Sequence, residues 1–277
     1  METAVLARPT ITDEEVAQFH REGFLVARQL FNVDEIDEIR QKFMEASSEG
    51  PIPGMSDNPK AFSPSDPLSR YPRVMQPHWH PDTEIGKLSR RHIIDNRIHD
   101  YLAPIIGGEP AAVQSMFYFK PPGARGQDLH QDNYYLRVAP DTCYAAWLAI
   151  DDCDEENGTL VVVPETNTMD IVCPQVADAS QFFTTEHVEV PEGHTPLAVI
   201  MKAGDVLFFN GSLIHGSYPN TSADRFRRSL IFHYVPASSD KLSSGYQNPM
   251  LFDGSVINID AAVGGGPCGT VAATMFH

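Results

Sequence analysis

From residue 111 the chain changes its period. Short runs rich in apolar and β-branched residues recur at 112–119, 128–136, 143–150, 159–163, 186–190, 197–201, 205–210 and 227–235, with turn residues between them. About eight strands of this length, separated by turns, predict a sandwich or barrel. The residues before 111 read as helices. Thr12 with Glu15 makes a capping box, with Ile11 and Val16 as its hydrophobic staple. Gly23 stops that helix before a short strand at Phe24-Leu25-Val26. Asn32 with Glu35 opens a second helix with Ile36, Ile39 and Phe43 on its buried face. Ile94, Ile98, Leu102 and Ile105 give a third, stopped by Gly107-Gly108. Helices first and strands afterwards predict an α+β domain: a jelly roll, or cupin-like double-stranded β-helix, with N-terminal helices packed on one sheet.

At 277 residues the chain fits one large domain spanning 1–277. Two stretches lack a steady period. Residues 49–83 are rich in Pro, Ser and Asp, and a loop this long in a compact domain reads as a lid or binding loop. It holds Met55, Phe62, Tyr71, Arg73, Met75, His78, Trp79 and His80, and the same residues also suit an ordinary surface loop with a hydrophobic anchor. Residues 237–277 form a Gly- and Ser-rich extension, either a cover for the barrel mouth or a loose end.

Within the strand region, His130 and Asp132 stand two residues apart, on one side if the strand is extended. A hydrogen-bonded surface pair satisfies the same spacing. With His215, 83 residues beyond Asp132, they make two imidazoles and one carboxylate, the facial triad that holds non-heme Fe(II) with open positions left over. In 227–233, one face carries Arg227, Ser229, Ile231 and His233, and the other Arg228, Leu230, Phe232 and Tyr234. The second face suits helix packing. The first places an arginine fork and a hydroxyl in the lumen, which matches a dicarboxylate's far end. A solvated loop edge explains the arginines at 225, 227 and 228 equally well. By the same parity Met116 lies with Gln114 and Tyr118, and Trp147 stands between Ala145 and Ala149. From the residues alone, core filling is a better account of both side chains than a ligand cavity.

A net charge of −17 argues against a nucleic-acid partner or an anionic membrane surface. No apolar run approaches the ~18 residues that span a bilayer, and the first residues lack a signal-peptide pattern. Cys143, Cys153, Cys173 and Cys268 show no C-x-x-C spacing and read as reduced thiols of a cytoplasmic protein. Nothing in the sequence sets an oligomeric state.

The chain resembles the phytanoyl-CoA dioxygenase family of Fe(II)- and 2-oxoglutarate-dependent oxygenases. The resemblance runs from about residue 14 to 236, through Phe19-His20-Arg21-Glu22-Gly23-Phe24-Leu25-Val26, Phe119-Lys120-Pro121-Pro122-Gly123 and Leu129-His130-Gln131-Asp132. It continues through Trp147-Leu148-Ala149-Ile150-Asp151, Glu156-Asn157-Gly158-Thr159-Leu160, Gly204-Asp205-Val206-Leu207-Phe208-Phe209, His215-Gly216-Ser217 and Arg227-Arg228-Ser229. It implies iron ligands at His130, Asp132 and His215, and a 2-oxoglutarate carboxylate partner at Arg227 with Ser229 beside it. It implies further cosubstrate contacts at Gln127, Met116 and Trp147. The family's usual Pro-Gly-Ser/Thr-His departs here to Pro164-Glu165-Thr166-Asn167, leaving Thr166 as the hydroxyl contact. The implied activity consumes O2 and 2-oxoglutarate, releases succinate and CO2, and oxidises a substrate C–H bond, hydroxylation being the default. Asp132 disfavours halogenation, in which relatives replace that carboxylate by a small residue. Two rivals remain: a non-oxidative cupin-type metalloenzyme, which does not need Arg227, and a binding module that has lost turnover. The acidity points to a small neutral or cationic metabolite as substrate, of the kind secondary pathways supply, rather than an acyl-CoA. Tyr134, Tyr135, Tyr71, Met75 and His78 are the candidate substrate contacts.

Overall fold

The computed structural model describes residues 10–57, 62–246, 248–263, 266 and 268. The parts of the 49–83 loop at 58–61 and of the 237–277 extension at 247, 264, 265, 267 and beyond 268 therefore lie outside the described residues. The N-terminal part contains α1 (Asp13–Glu22), β1 (Phe24–Ala27), α2 (Val33–Ala46), α3 (Pro67–Arg70), β2 (Val74–Met75), α4 (Glu84–Ile93) and α5 (Asn96–Ile106). Then come β3 (Pro110–Tyr118), β4 (Gln127–His130), α6 (Asn133–Leu136), β5 (Tyr144–Ala149), β6 (Leu160–Val162), β7 (Gln175–Val176) and β8 (Glu186–His187). The chain continues with β9 (Leu197–Ala198), β10 (Val206–Asn210), β11 (His215–Ser217), β12 (Ser229–Pro236), β13 (Lys241–Leu242) and β14 (Asp260–Ala261).

Both expected capping boxes are present, Thr12 with Glu15 and Asn32 with Glu35. Each satisfies two helix-end donors reciprocally and so sets where the helix starts. Gly23 and Gly107 end α1 and α5 in the left-handed conformation, which glycine adopts without steric cost.

Two sheets make the jelly roll. The larger has the order β1-β10-β5-β12-β3-β2 and the smaller β4-β11-β6-β9. Period-2 alternation divides the large sheet's side chains. Leu230, Phe232, Tyr234, Phe117, Ala146 and Phe208 join Ile36, Ile39, Phe43 and Leu102 of the helices in one core. Met116, Ala145, Trp147, Leu207, Phe209 and Ile231 face the other way and meet Leu160 and Val162 of the small sheet. Helices thus back one face of the large sheet, and its second face lines the lumen.

Four expectations need correction. The strand expected at 128–136 ends at His130: Asp132 is helical (φ −60, ψ −36) and precedes α6, with Asn133 N–H donating to Gly211 O. Helix α4 falls between two expected elements and has no counterpart in the apolar pattern. Its buried face includes Gly86, Ser89 and His92, which dilute the period, and a Cβ on Gly86 would sit 1.8 Å from His80 O. The 49–83 stretch is partly structured, with α3, β2 and a 3-10 turn at Pro77–Trp79, and Met75 pairs with Met116 across the sheet edge. Finally, Cys173 and Cys268 form a disulfide, while Cys143 and Cys153 are free and buried. Spacing alone concealed that pair, which is separated by 95 residues. Its presence removes the four-thiol argument for a reducing compartment. Among the described residues no helix is long and apolar enough to cross a membrane. The described part of the C-terminal extension packs on the body: Met250 exchanges both backbone hydrogen bonds with Ala112, and Leu242 and Tyr246 are buried beside Leu136.

Candidate metal and cosubstrate site

Three strands and one helix start carry the polar residues of the lumen. His130 ends β4, His215 begins β11, and the two are paired across the small sheet with their rings 4.3 Å apart. Asp132 enters from the turn into α6. Its Oδ1 lies 3.4 Å from His130 Nε2 and 3.6 Å from His215 Nε2. All three residues are buried and their ligand atoms lie within 4.8 Å of one another.

The surroundings decide which nitrogen faces inward. His130 Nδ1 donates to Asp128 O at 2.7 Å and His215 Nδ1 to Leu213 O at 3.0 Å. With the proton held on Nδ1, each Nε2 presents its lone pair towards Asp132 Oδ1, the tautomer a metal ligand needs. His233 Nε2, on β12, contacts Asp132 Oδ2 at 2.9 Å and fixes the carboxylate plane. Burial raises the Asp132 carboxyl pKa, but the neighbouring histidines outweigh it and hold the group ionised, well below its usual range. Burial also pushes His215 down to about 4, which keeps it neutral at physiological pH. Two neutral imidazoles and one carboxylate suit Fe(II), and the donor set fits that ion.

Gln127 stands beside the triad for a reason that parity misses. His215 pairs with His130 but Ser217 pairs with Gln127, so three residues of β11 oppose four of β4. This bulge turns Gln127 and His130 to the same face. Gln127 Nε2 donates to His130 Nε2 at 3.1 Å, so this amide has to turn away when a metal takes that nitrogen. Its Oε1 accepts from Tyr118 OH at 3.3 Å, and Tyr118 OH accepts from Arg73 at 3.1 Å.

At the far end of the same lumen lies a buried positive corner. Arg227 is 2% exposed, donates to Gly158 O and Ser229 Oγ at 3.0 Å each, and stacks 5.2 Å from the Trp147 ring centroid. Lys120 donates to Gly158 O, Ser217 Oγ and Tyr218 O. Burial, then the charge of Arg227, pushes the Lys120 pKa well down, and burial likewise lowers that of Arg227. Among the described residues no carboxylate pairs with either cation within 4.0 Å. A buried guanidinium held only by neutral oxygens calls for an anion. Gly158 holds a left-handed φ of +81° there, and a Cβ on it would strike Tyr218 O at 2.6 Å.

Of the expected cosubstrate residues, Met116, Gln127, Trp147 and Arg227 line one narrow cavity with the triad, and Ser229 is bonded to Arg227 from just behind. Thr166 does not join them. Its hydroxyl donates to Val163 O and accepts from Ile214 N–H, which ties the turn after β6 to the residue before His215. Of the expected substrate contacts, Tyr135 and Met75 line a separate cleft of about 800 Å³. His78 is buried on Ser115, Tyr71 packs on Phe119 and Phe226, and Tyr134 packs edge-on to Tyr135. Polar residues that were not expected at the site include Tyr118, Lys120, Ser217 and His233, with Arg73 behind Tyr118. Lys120 has the parity of Met116 and Tyr118, a signal that was available.

Comparison with known proteins agrees with this geometry. The phytanoyl-CoA dioxygenase family profile matches residues 19–229. The "Phytanoyl-CoA dioxygenase domain-containing protein 1 homolog" of Dictyostelium discoideum is 25% identical over 81% of this chain and 91% of its own. The solved structure of the non-heme alpha ketoglutarate dependent carbocyclase SnoK from nogalamycin biosynthesis superposes with a TM-score of 0.66 at 19% identity, covering 84% of this chain and 88% of that one. That of EctD from S. alaskensis with bound Fe superposes with a TM-score of 0.66 at 20% identity, covering 91% and 88%. The chain belongs to the phytanoyl-CoA dioxygenase family, and with it to the Fe(II)- and 2-oxoglutarate-dependent dioxygenases.

Proposed function

We propose that His130, Asp132 and His215 bind Fe(II), that Arg227 and Ser229 hold the distal carboxylate of 2-oxoglutarate, and that the enzyme hydroxylates a C–H bond of a small organic molecule. The observation that carries this reading is the buried Arg227, without a carboxylate partner among the described residues, at the opposite end of the cavity from the triad. A non-oxidative cupin enzyme has no use for such a group. When bound, iron and 2-oxoglutarate supply oxidising equivalents from O2, with release of succinate and CO2.

The chain's own residues do the rest. The backbone acceptors of Asp128 and Leu213 keep both imidazoles in the ligating tautomer. His233 fixes Asp132. Arg227, kept in place by Gly158 O, sets how deep a dicarboxylate enters. Met116, Trp147 and Ile231 wall that path with apolar surface, which excludes water and strengthens each polar contact. A metal held by His130 Nε2 would require Gln127 to give up its bond to that nitrogen. The test is anaerobic titration of 2-oxoglutarate into the Fe(II)-loaded protein, read by the metal-to-ligand charge-transfer band, followed by succinate release in air with ascorbate. A saturable band is expected. A protein that binds iron but shows no band refutes the reading.

A further inference from the structure

The cleft of about 800 Å³ lies outside the metal cavity, between described residues of 54–57 and 62–80 on one side and 179–186 on the other. Its volume suits a ligand of several rings. Trp79, Phe182, Phe183 and Tyr135 supply aromatic surface. Its charges are unevenly satisfied. Arg73 Nε is paired with Asp57 Oδ2 at 2.5 Å and its Nη1 donates to Tyr118. Arg125 puts Nε and Nη2 on Asp66 Oδ2, at 3.0 and 2.6 Å, and Nη1 on Ala179 O and Phe182 O. Each arginine's charge is thus already balanced by a carboxylate. His80 is the remaining basic side chain among the described lining residues.

Glu186 differs. It is half-buried in the cleft wall, takes a hydrogen bond from the Tyr135 hydroxyl and one from Thr185 N–H at 3.2 Å, and has no Lys, Arg or His within 4.0 Å among the described residues. The adjacent His187 is turned away, onto Asp128 at 3.0 Å. A cleft whose arginines are already paired with carboxylates, and whose Glu186 lacks a cationic partner among the described residues, disfavours a coenzyme A thioester, whose phosphates need free Lys or Arg. Resting on the oxygenase reading above, we infer that the cleft takes a multi-ring organic cation, with its protonated nitrogen on Glu186 and its rings against Trp79 and the two phenylalanines. Aromatic faces favour such a cation, and the chain's charge of −17 draws it in.

Fluorescence titration of the metal-loaded protein tests this with three probes of defined charge: 9-aminoacridine, anthracene-9-methanol and anthracene-9-carboxylate. Palmitoyl-CoA, added as competitor, represents the other class. The cation is expected to bind at least about tenfold tighter than the carboxylate, and Glu186→Gln to remove about tenfold of that preference. The carboxylate's affinity should hold or rise in the variant, which shows that the cleft is still folded. Equal affinities for the three probes, an unchanged preference in Glu186→Gln, or displacement by palmitoyl-CoA at lower concentration than the cation binds would each overturn the inference. None of these titrations needs 2-oxoglutarate. A missing charge-transfer band thus removes the oxygenase reading alone, and a missing charge preference removes this one alone.

Discussion

The metal end of the lumen and the outer cleft use charge in opposite ways. At the metal end every donor is aimed by something rigid: strand pairing sets His130 against His215, backbone carbonyls fix both tautomers, and His233 holds the carboxylate. The Arg227 corner continues that plan, with a cation kept unneutralised for an incoming anion. In the cleft the arginines are already paired and aromatic side chains from irregular segments make the wall. The inner end is thus built for one invariant pair of small groups. The outer end is built from segments that tolerate substitution. Variants at the inner end should therefore act as switches and variants at the outer end as gradations.

The largest effect is expected from Asp132→Ala. It removes one of the three proposed metal ligands and leaves His233 without its carboxylate, so turnover and the charge-transfer band should both vanish. His233→Ala keeps all three ligands and should weaken iron by about 10–100-fold, as losses of outer partners do. Near-normal turnover in Asp132→Ala would take the triad out of the comparison.

Next comes Arg227→Leu. Loss of a desolvated charge-assisted pair should cost ~2–5 kcal/mol of 2-oxoglutarate binding, a fall of roughly 30-fold to several thousand-fold, with iron affinity unchanged. The neighbours are informative controls for different reasons. Arg225 is on the surface with Asp154 and Glu156, so its loss should barely register. Arg228 makes a two-point contact with Asp151, each bond 2.8 Å, so Arg228→Leu should lower stability and not cosubstrate affinity. Calorimetry and the anaerobic titration separate these outcomes. A cosubstrate loss at Arg228 that exceeds the one at Arg227 would mean that the corner is assigned to the wrong face of β12.

How much of this contrast the sequence carries follows from its origin. The inner end was legible where it depends on period 2: Arg227 and Ser229 face the lumen, Arg228 faces the helices, and Met116 and Trp147 line the cavity. It was illegible where regularity breaks. The bulge that brings Gln127 beside His130 leaves no mark on alternation, and the turn that lifts Asp132 off the strand was hidden by Tyr134-Tyr135-Leu136, which reads equally well as strand. Thr166 kept the residue type of a contact but spends its hydroxyl on the backbone. The cleft was the least legible part. Its 54–80 wall has no period, and the Asp57–Arg73 and Asp66–Arg125 pairs that neutralise it join residues 16 and 59 positions apart. Helix α4 buries Ser89 and His92 on the face where periodicity looks for apolar residues.

Acid should act through buried histidines at both ends, His215 at the inner end and His78 beside the outer wall. Burial depresses the pKa of His78, in the cleft-side segment, from 6.5 to about 3. Between those values the unfolded chain binds a proton that the folded one refuses, so stability falls as pH drops below about 6.5 and stops falling near 3. At pH 5 the cost is about 2 kcal/mol relative to pH 7. Urea denaturation at the two pH values measures it, and His78→Asn should flatten the difference by that amount. An unchanged difference in the variant would shift the acid sensitivity to the other buried histidines whose pKa burial depresses, His215 and His92.

The smallest expected effect is at the rim. Trp79 is 43% exposed, lines the cleft, and sits outside the metal cavity. Trp79→Ala removes aromatic surface from a ligand already held elsewhere, so substrate affinity should fall only about threefold to tenfold, ~0.7–1.4 kcal/mol. The 2-oxoglutarate affinity should stay at wild type, because no described residue from Gly54 to His80 takes part in the cavity that holds the triad and Arg227. The sharper readout is coupling. A looser wall admits water and lets the substrate wander, so the ratio of product to succinate should drop while succinate release continues. Full coupling together with a large loss of 2-oxoglutarate binding would show that the two regions are one mechanical unit. A modest loss of coupling with the inner end untouched is what two separately built regions require.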